Sequence, residues 1–212
     1  EFPLPELGAI IRQIRDQLDA GRGLYFLSGL NVYDYDPDEI RTLCSGLAGH
    51  LDHALVPQNI AGDLTVSITD HGEVQLDEHQ ARGHRGRAEM LPHSDSAAIV
   101  GLLCVRQAKN GGSTAVCSSA AVHNEIIQSD ADHLVPLRKG FYFDLTGKTE
   151  AGVSQERLAV FTYHGGEVMC RFNKSRIESG MRKAGVSLSP AEWAALECMS
   201  ELAQRPDLTM RF

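Results

Sequence analysis

Apolar residues at positions 7, 10, 11, 14 and 18 (Leu7, Ile10, Ile11, Ile14, Leu18) recur at helical spacing, and Gly21 ends the run. The spacing predicts an amphipathic helix there. Asp36-Pro37-Asp38-Glu39 reads as a capping box with proline at the first helical position, ahead of a stripe of Ile40, Leu43, Leu47 and Leu51. Ser189-Pro190-Ala191-Glu192 repeats the device ahead of Trp193, Leu196, Met199 and Leu202. A shorter helix is expected from a cap at Ser119 through Ile127.

Other stretches read as strands. Residues 24–30 form one; residues 97–105 are apolar between polar flanks and predict a buried strand. Residues 64–69 and 73–76 suggest a hairpin around Asp70-His71-Gly72, and residues 160–164 and 167–172 a second around Gly165-Gly166. Residues 208–212 open a further strand. A closing strand left unpaired would expose its edge. With Glu1 rather than Met at the start, continuation is expected at both ends. No repeat or linker divides residues 1–212, which read as one mixed α and β unit.

Composition narrows the partners. With 28 acidic against 20 basic residues the net charge is -8, and no basic run breaks it, so nucleic acid is not expected. The apolar run at 97–105 is half a membrane span, and no signal peptide is visible, so no membrane association is expected. Five scattered cysteines without a C-x-x-C pair argue against a disulfide framework or zinc ribbon, and for a reducing, cytoplasmic setting.

Candidate chemistry lies in histidines two residues before an acid. On an extended chain such side chains share a face and can grip one metal ion. With a distant second His they would form the facial triad of non-haem iron oxygenases, which leaves coordination positions open. Four pairs fit: His50/Asp52, His71/Glu73, His93/Asp95 and His123/Glu125. The first and last fall on predicted helices, where residues two apart diverge. His71/Glu73 straddles a turn. His93-Ser94-Asp95 leads into the apolar run 97–105, which would set a hydrophilic pair at the mouth of a core. Spacing and context leave two readings open: a metal pair, or a loop imidazole hydrogen-bonded to a nearby carboxylate.

A family resemblance bears on that choice. Pro92-His93-Ser94-Asp95-Ser96, then residues 100–105, then Ala108-Lys109-Asn110-Gly111-Gly112-Ser113-Thr114, then Ser118-Ser119 and Val122-His123-Asn124, resemble the taurine dioxygenase-like (TauD/TfdA) family. Residues 21–30 and Cys170-Arg171-Phe172-Asn173 agree more loosely. The resemblance implies an α+β protein with a double-stranded β-helix (jelly-roll) core, surrounding helices and further C-terminal strands. It implies that His93 and Asp95 ligate Fe(II), and that Thr114 holds the distal carboxylate of 2-oxoglutarate after a turn at Gly111 and Gly112. The implied reaction couples oxidative decarboxylation of 2-oxoglutarate by O2 to oxidation of a C–H bond in a small-molecule substrate. A homo-oligomer is compatible with this reading. Arg171 is the candidate contact for a substrate anion, although a solvent-facing charge is the commoner explanation of such a residue.

The sequence departs from the family pattern in lacking, in matching context, a second His ligand and the Arg that follows it. His164 and Arg176 copy the spacing, but His164 abuts the Gly165-Gly166 turn. Truncation, an unordered tail or degeneration would each explain this. The alternatives are a jelly-roll small-molecule-binding protein without a complete metal site, and a zinc-dependent hydrolase on the same two ligands. Ser118 and Ser119 read as caps rather than nucleophiles, and Asn59 and Asp63 as turn residues or a loop over the site. Tyr25, Phe26, Phe141, Tyr142, Phe143, Phe161 and Tyr163 are expected in the core, some lining the substrate pocket.

Overall fold

The computed structural model describes residues 3–51, 55–69 and 89–212. The chain divides into two compact units, one of Glu1–Val66 with Ala97–Asn110, the other of Ser67–Ser96 with Gly111–Phe212.

In the first unit, helices α1 (Gly8–Asp19) and α2 (Pro37–Leu51) pack together. Ile11 and Ile14 form the buried face of α1. The α2 capping box closes as expected: Asp36 Oδ1 accepts the Glu39 N–H at 2.9 Å, and Glu39 Oε2 accepts the Asp36 N–H at 2.9 Å. Asn59 accepts from Ala61 and donates to Asp63 at 2.7 Å, which is turn chemistry.

Two expected strands do not form in this unit. Residues 24–30 are irregular, with Phe26 70% exposed. Residues 97–105 are irregular and join no ladder, and Leu102 is 67% exposed. An apolar run becomes a strand only where a partner supplies hydrogen bonds and a packed face. Among the described residues neither segment joins a strand ladder. Residues 64–69 carry no strand either, and residues 73–76, with His71 and Glu73, lie outside the described residues.

The second unit holds a core of Val122, Ile126, Leu137, Phe141, Val160, Phe161, Ile177 and Leu196, each at most 1% exposed. Burying each such side chain contributes about 1.5–3 kcal/mol. Its elements are β1 (Ala115–Cys117), α3 (Ser119–Asp130), α4 (Leu134–Lys139), β2 (Phe161–His164), β3 (Glu167–Cys170), α5 (Lys174–Lys183), α6 (Pro190–Leu202) and β4 (Thr209–Arg211). The cap of α3 is Ser118, one residue before the expected Ser119; its hydroxyl accepts the Ala121 N–H at 3.2 Å. The capping box of α6 forms between Ser189 and Glu192.

Strands β2 and β3 pair antiparallel, with His164 opposite Glu167 across Gly165-Gly166. Both glycines carry positive φ, 58° and 87°, as the two-residue hairpin turn requires. Strand β4 is not an open edge on both sides: it pairs antiparallel with β1. Phe141, Phe143 and Phe161 are core residues, whereas Tyr163, nearer the hairpin turn on β2, is 46% exposed. Among the described residues no helix is long and apolar enough to cross a membrane.

Candidate functional site

His93, Ser94 and Asp95 lie on an extended segment in which both outer residues are exposed and Ser94 is half-buried. The segment is stitched to the chain just after β3. Ser94 N–H donates to the Phe172 carbonyl at 2.7 Å, and Phe172 N–H donates to Ser94 Oγ at 2.8 Å. Phe172 is 3% exposed within the core, so it anchors the pair. The support expected from residues 97–105 is thus replaced by Phe172, and the expectation of a buried strand behind the site is corrected.

Alternation about this contact turns the flanking residues outward. His93 and Asp95 flank Ser94, and Arg171 flanks Phe172. Arg171 stands one residue beyond β3 rather than on it; its N–H donates to the Val160 carbonyl at 2.7 Å while its side chain is exposed. Among the described residues its guanidinium has no hydrogen bond or ion pair.

The donor atoms of the pair suit a metal. His93 Nδ1 lies 2.9 Å from the Leu91 carbonyl oxygen. A carbonyl only accepts, so Nδ1 carries the proton, and in the neutral ring Nε2 presents its lone pair. The Asp95 carboxylate has no partner among the described residues. A neutral imidazole and a free carboxylate fit two positions of a facial triad. Among the described residues no group of three His, Cys, Asp or Glu stands together as a metal site.

The rival pair His123/Glu125 is engaged by the fold. His123 is 5% exposed on α3, edge-on to the Phe161 ring at 5.0 Å. The Tyr163 hydroxyl bridges His123 Nε2 at 2.7 Å and the Arg138 Nε–H at 2.8 Å. Glu125 pairs with Arg205 at 2.5 Å. His50 lies on α2, and Asp52 lies outside the described residues. Arg176, which copied the spacing with His164, donates to the Asp144 carbonyl at 2.8 Å, while His164 ends β2 at the turn.

Thr114 is held on a different pairing. Its N–H donates to the Phe212 carbonyl at 3.3 Å, and the Phe212 N–H donates to the Thr114 carbonyl at 3.0 Å, which extends the β1–β4 ladder. Gly111 and Gly112, with φ of 73° and 76°, make the turn before it, a conformation that other residues adopt at a cost. The Thr114 side chain is exposed, and its hydroxyl has no partner among the described residues. Cys117 of β1 and Cys170 of β3 both pack against the core. Burial first, and then the neighbouring Cys117 of β1, push the Cys170 thiol of β3 up to about 12.

Residue spacing admits positions 93 and 95 among four such pairs and is silent on Ser94. A hydroxyl between two candidate ligands is a faint signal without its partner, 78 residues along the chain.

Residues 1–212 match the model of the taurine catabolism dioxygenase TauD, TfdA family. FR-33289 synthase of Streptomyces rubellomurinus is 34% identical over 207 residues, 97% of this chain and 61% of that protein. Taurine hydroxylase-like protein SAT17 of Stachybotrys chartarum is 26% identical over 148 residues, 68% of this chain and 38% of that protein. The chain therefore spans less than two thirds of the length of either relative. The match along all 212 residues shows that the chain belongs to the TauD/TfdA family of dioxygenases.

Proposed function

We propose that this protein is an Fe(II)- and 2-oxoglutarate-dependent dioxygenase that oxidises a C–H bond of a small molecule. The observation that carries the reading is the outward-facing His93/Asp95 pair, whose ligating atoms are uncommitted while His123 and Glu125 are used by the fold. His93 Nε2 and the Asp95 carboxylate would hold the iron, and the Leu91 carbonyl would fix the imidazole tautomer. The bound iron and 2-oxoglutarate supply the means to use O2 against a C–H bond, with release of succinate and CO2. The Thr114 hydroxyl would donate to the distal carboxylate of 2-oxoglutarate. Arg171 would attract and orient an anionic group of the substrate from the same exposed side. The jelly-roll core belongs to this reading and rests on family membership; action in a reducing, cytoplasmic setting rests on the five scattered free cysteines.

The test is succinate formation from 2-oxoglutarate by purified protein with Fe(II) and O2. His93→Ala and Asp95→Ala are each expected to abolish it while leaving the fold intact by circular dichroism. Undiminished turnover in either variant removes the proposal.

A further inference from the structure

We infer that Ser94 is a positioning residue for the His93/Asp95 pair, an inference that rests on the iron-binding reading above. In an ordinary antiparallel pair, two residues exchange backbone N–H and carbonyl bonds in both directions. Here the exchange is altered. Ser94 N–H donates to the Phe172 carbonyl at 2.7 Å, but the return bond from Phe172 N–H goes to the Ser94 side-chain oxygen at 2.8 Å. Ser94 Oγ also lies 3.4 Å from the Phe172 carbonyl oxygen. Among the described residues the Ser94 carbonyl accepts no backbone hydrogen bond.

The hydroxyl therefore does what the backbone of an ordinary strand residue would do. It closes the contact with a residue 3% exposed, whose N–H has no water to turn to. It also frees the peptide between Ser94 and Asp95 from the ladder, so the chain is pinned at the midpoint between the two ligands. Phe172 is fixed in turn: the preceding Arg171 N–H bonds Val160, and the following Asn173 caps α5 by accepting the Arg176 N–H at 3.1 Å. The outward set of His93 and Asp95 is thus referred to the core through one backbone bond and one side-chain oxygen. Alanine would leave the Phe172 N–H orphaned and the pair held by the single backbone bond.

The test compares Fe(II) affinity by anaerobic equilibrium dialysis for the unaltered chain, His93→Ala, Ser94→Ala and Ser94→Thr, alongside thermal unfolding of each metal-free protein. Loss of a residue that orients metal ligands typically weakens binding about 10–100-fold, so Ser94→Ala should fall in that range and Ser94→Thr, which keeps the hydroxyl, should stay within about threefold of the unaltered chain. Should Ser94→Ala fail to fold, Ser94→Cys, nearly isosteric but a weak acceptor, takes its place with the same expected loss. Unchanged iron affinity in Ser94→Ala beside a loss in His93→Ala overturns the role of Ser94 and leaves the iron reading standing, even if the unfolding temperature drops. Equal weakening in the alanine and threonine variants overturns it too. If the unaltered chain holds no more Fe(II) than His93→Ala, the iron reading itself fails and the inference falls with it.

Discussion

Asp144 shows how one buried side chain organises its surroundings without any part in the proposed chemistry. Its carboxylate accepts the Thr146 N–H at 2.8 Å, the Thr146 hydroxyl at 2.6 Å and the Ser179 hydroxyl at 2.6 Å, and faces Lys183 Nζ at 2.9 Å. Burial alone would raise its carboxyl. The bonds from Lys183, Ser179 and Thr146 outweigh that and hold it well below the usual carboxylate range. A carboxyl depressed in the folded state stabilises above its unfolded value, about pH 4, and the contribution drains away as the pH falls towards the folded value. Asp144→Asn is therefore expected to cost roughly 1–3 kcal/mol at neutral pH, toward the lower end because Lys183 is partly exposed. The deficit should shrink below about pH 4, where the carboxyl of the unfolded chain takes up its proton while the native one still holds its charge. Unfolding temperatures of both proteins between neutral and strongly acidic pH would show the gap closing. A constant gap would assign Asp144 a packing role instead.

At the scale of elements, helix α5 is fitted to the core through a missing side chain. A Cβ on Gly180 would stand 2.6 Å from the Asp144 backbone nitrogen and closer still to the Tyr142 carbonyl. Gly180→Ala must push α5 off the 142–144 segment, at a cost of about 1–3 kcal/mol typical of overpacking. Chemical denaturation should show the midpoint falling with an unchanged slope. That close approach could not be read from the sequence, because Gly180 sits mid-helix without a turn signal. What could be read was local. Capping boxes at Asp36 and Ser189, the helical stripe at Ile11 and Ile14, and the Gly165-Gly166 hairpin each depend on residues within four positions of one another. The strand expectations at 24–30 and 97–105 failed for the complementary reason: pairing is decided by a distant partner, and apolar character cannot supply one. The site divides the same way. His93 and Asp95 were put forward from spacing, local context and family resemblance together, while the contact of Ser94 with Phe172 could not be read that way.

For the molecule as a whole, apolar side chains are distributed unevenly between protection and exposure. The second unit buries Val122, Leu137, Phe141 and Leu196 almost completely, whereas Phe26, Val100 and Leu102 are each at least 52% exposed. Among the described residues the amides of 97–105 make no backbone hydrogen bond. Opening free energies should therefore differ sharply along the chain. Hydrogen exchange of the 212-residue chain, followed by mass spectrometry, should label peptides from 97–105 at the earliest time points. Peptides covering α3 and α6 should remain protected until global unfolding. Slow exchange at 97–105 would mean that those amides are engaged in solution by a partner strand.

Residue 171 meets the rest of the fold through its main chain, by the amide that reaches Val160. Its identity is thus decoupled from folding: any side chain but proline could occupy it without disturbing the ladder. A saturation library at this codon would vary what the outward surface attracts while sparing the architecture beneath, which makes it a natural place for selection, or an engineer, to retune ligand preference.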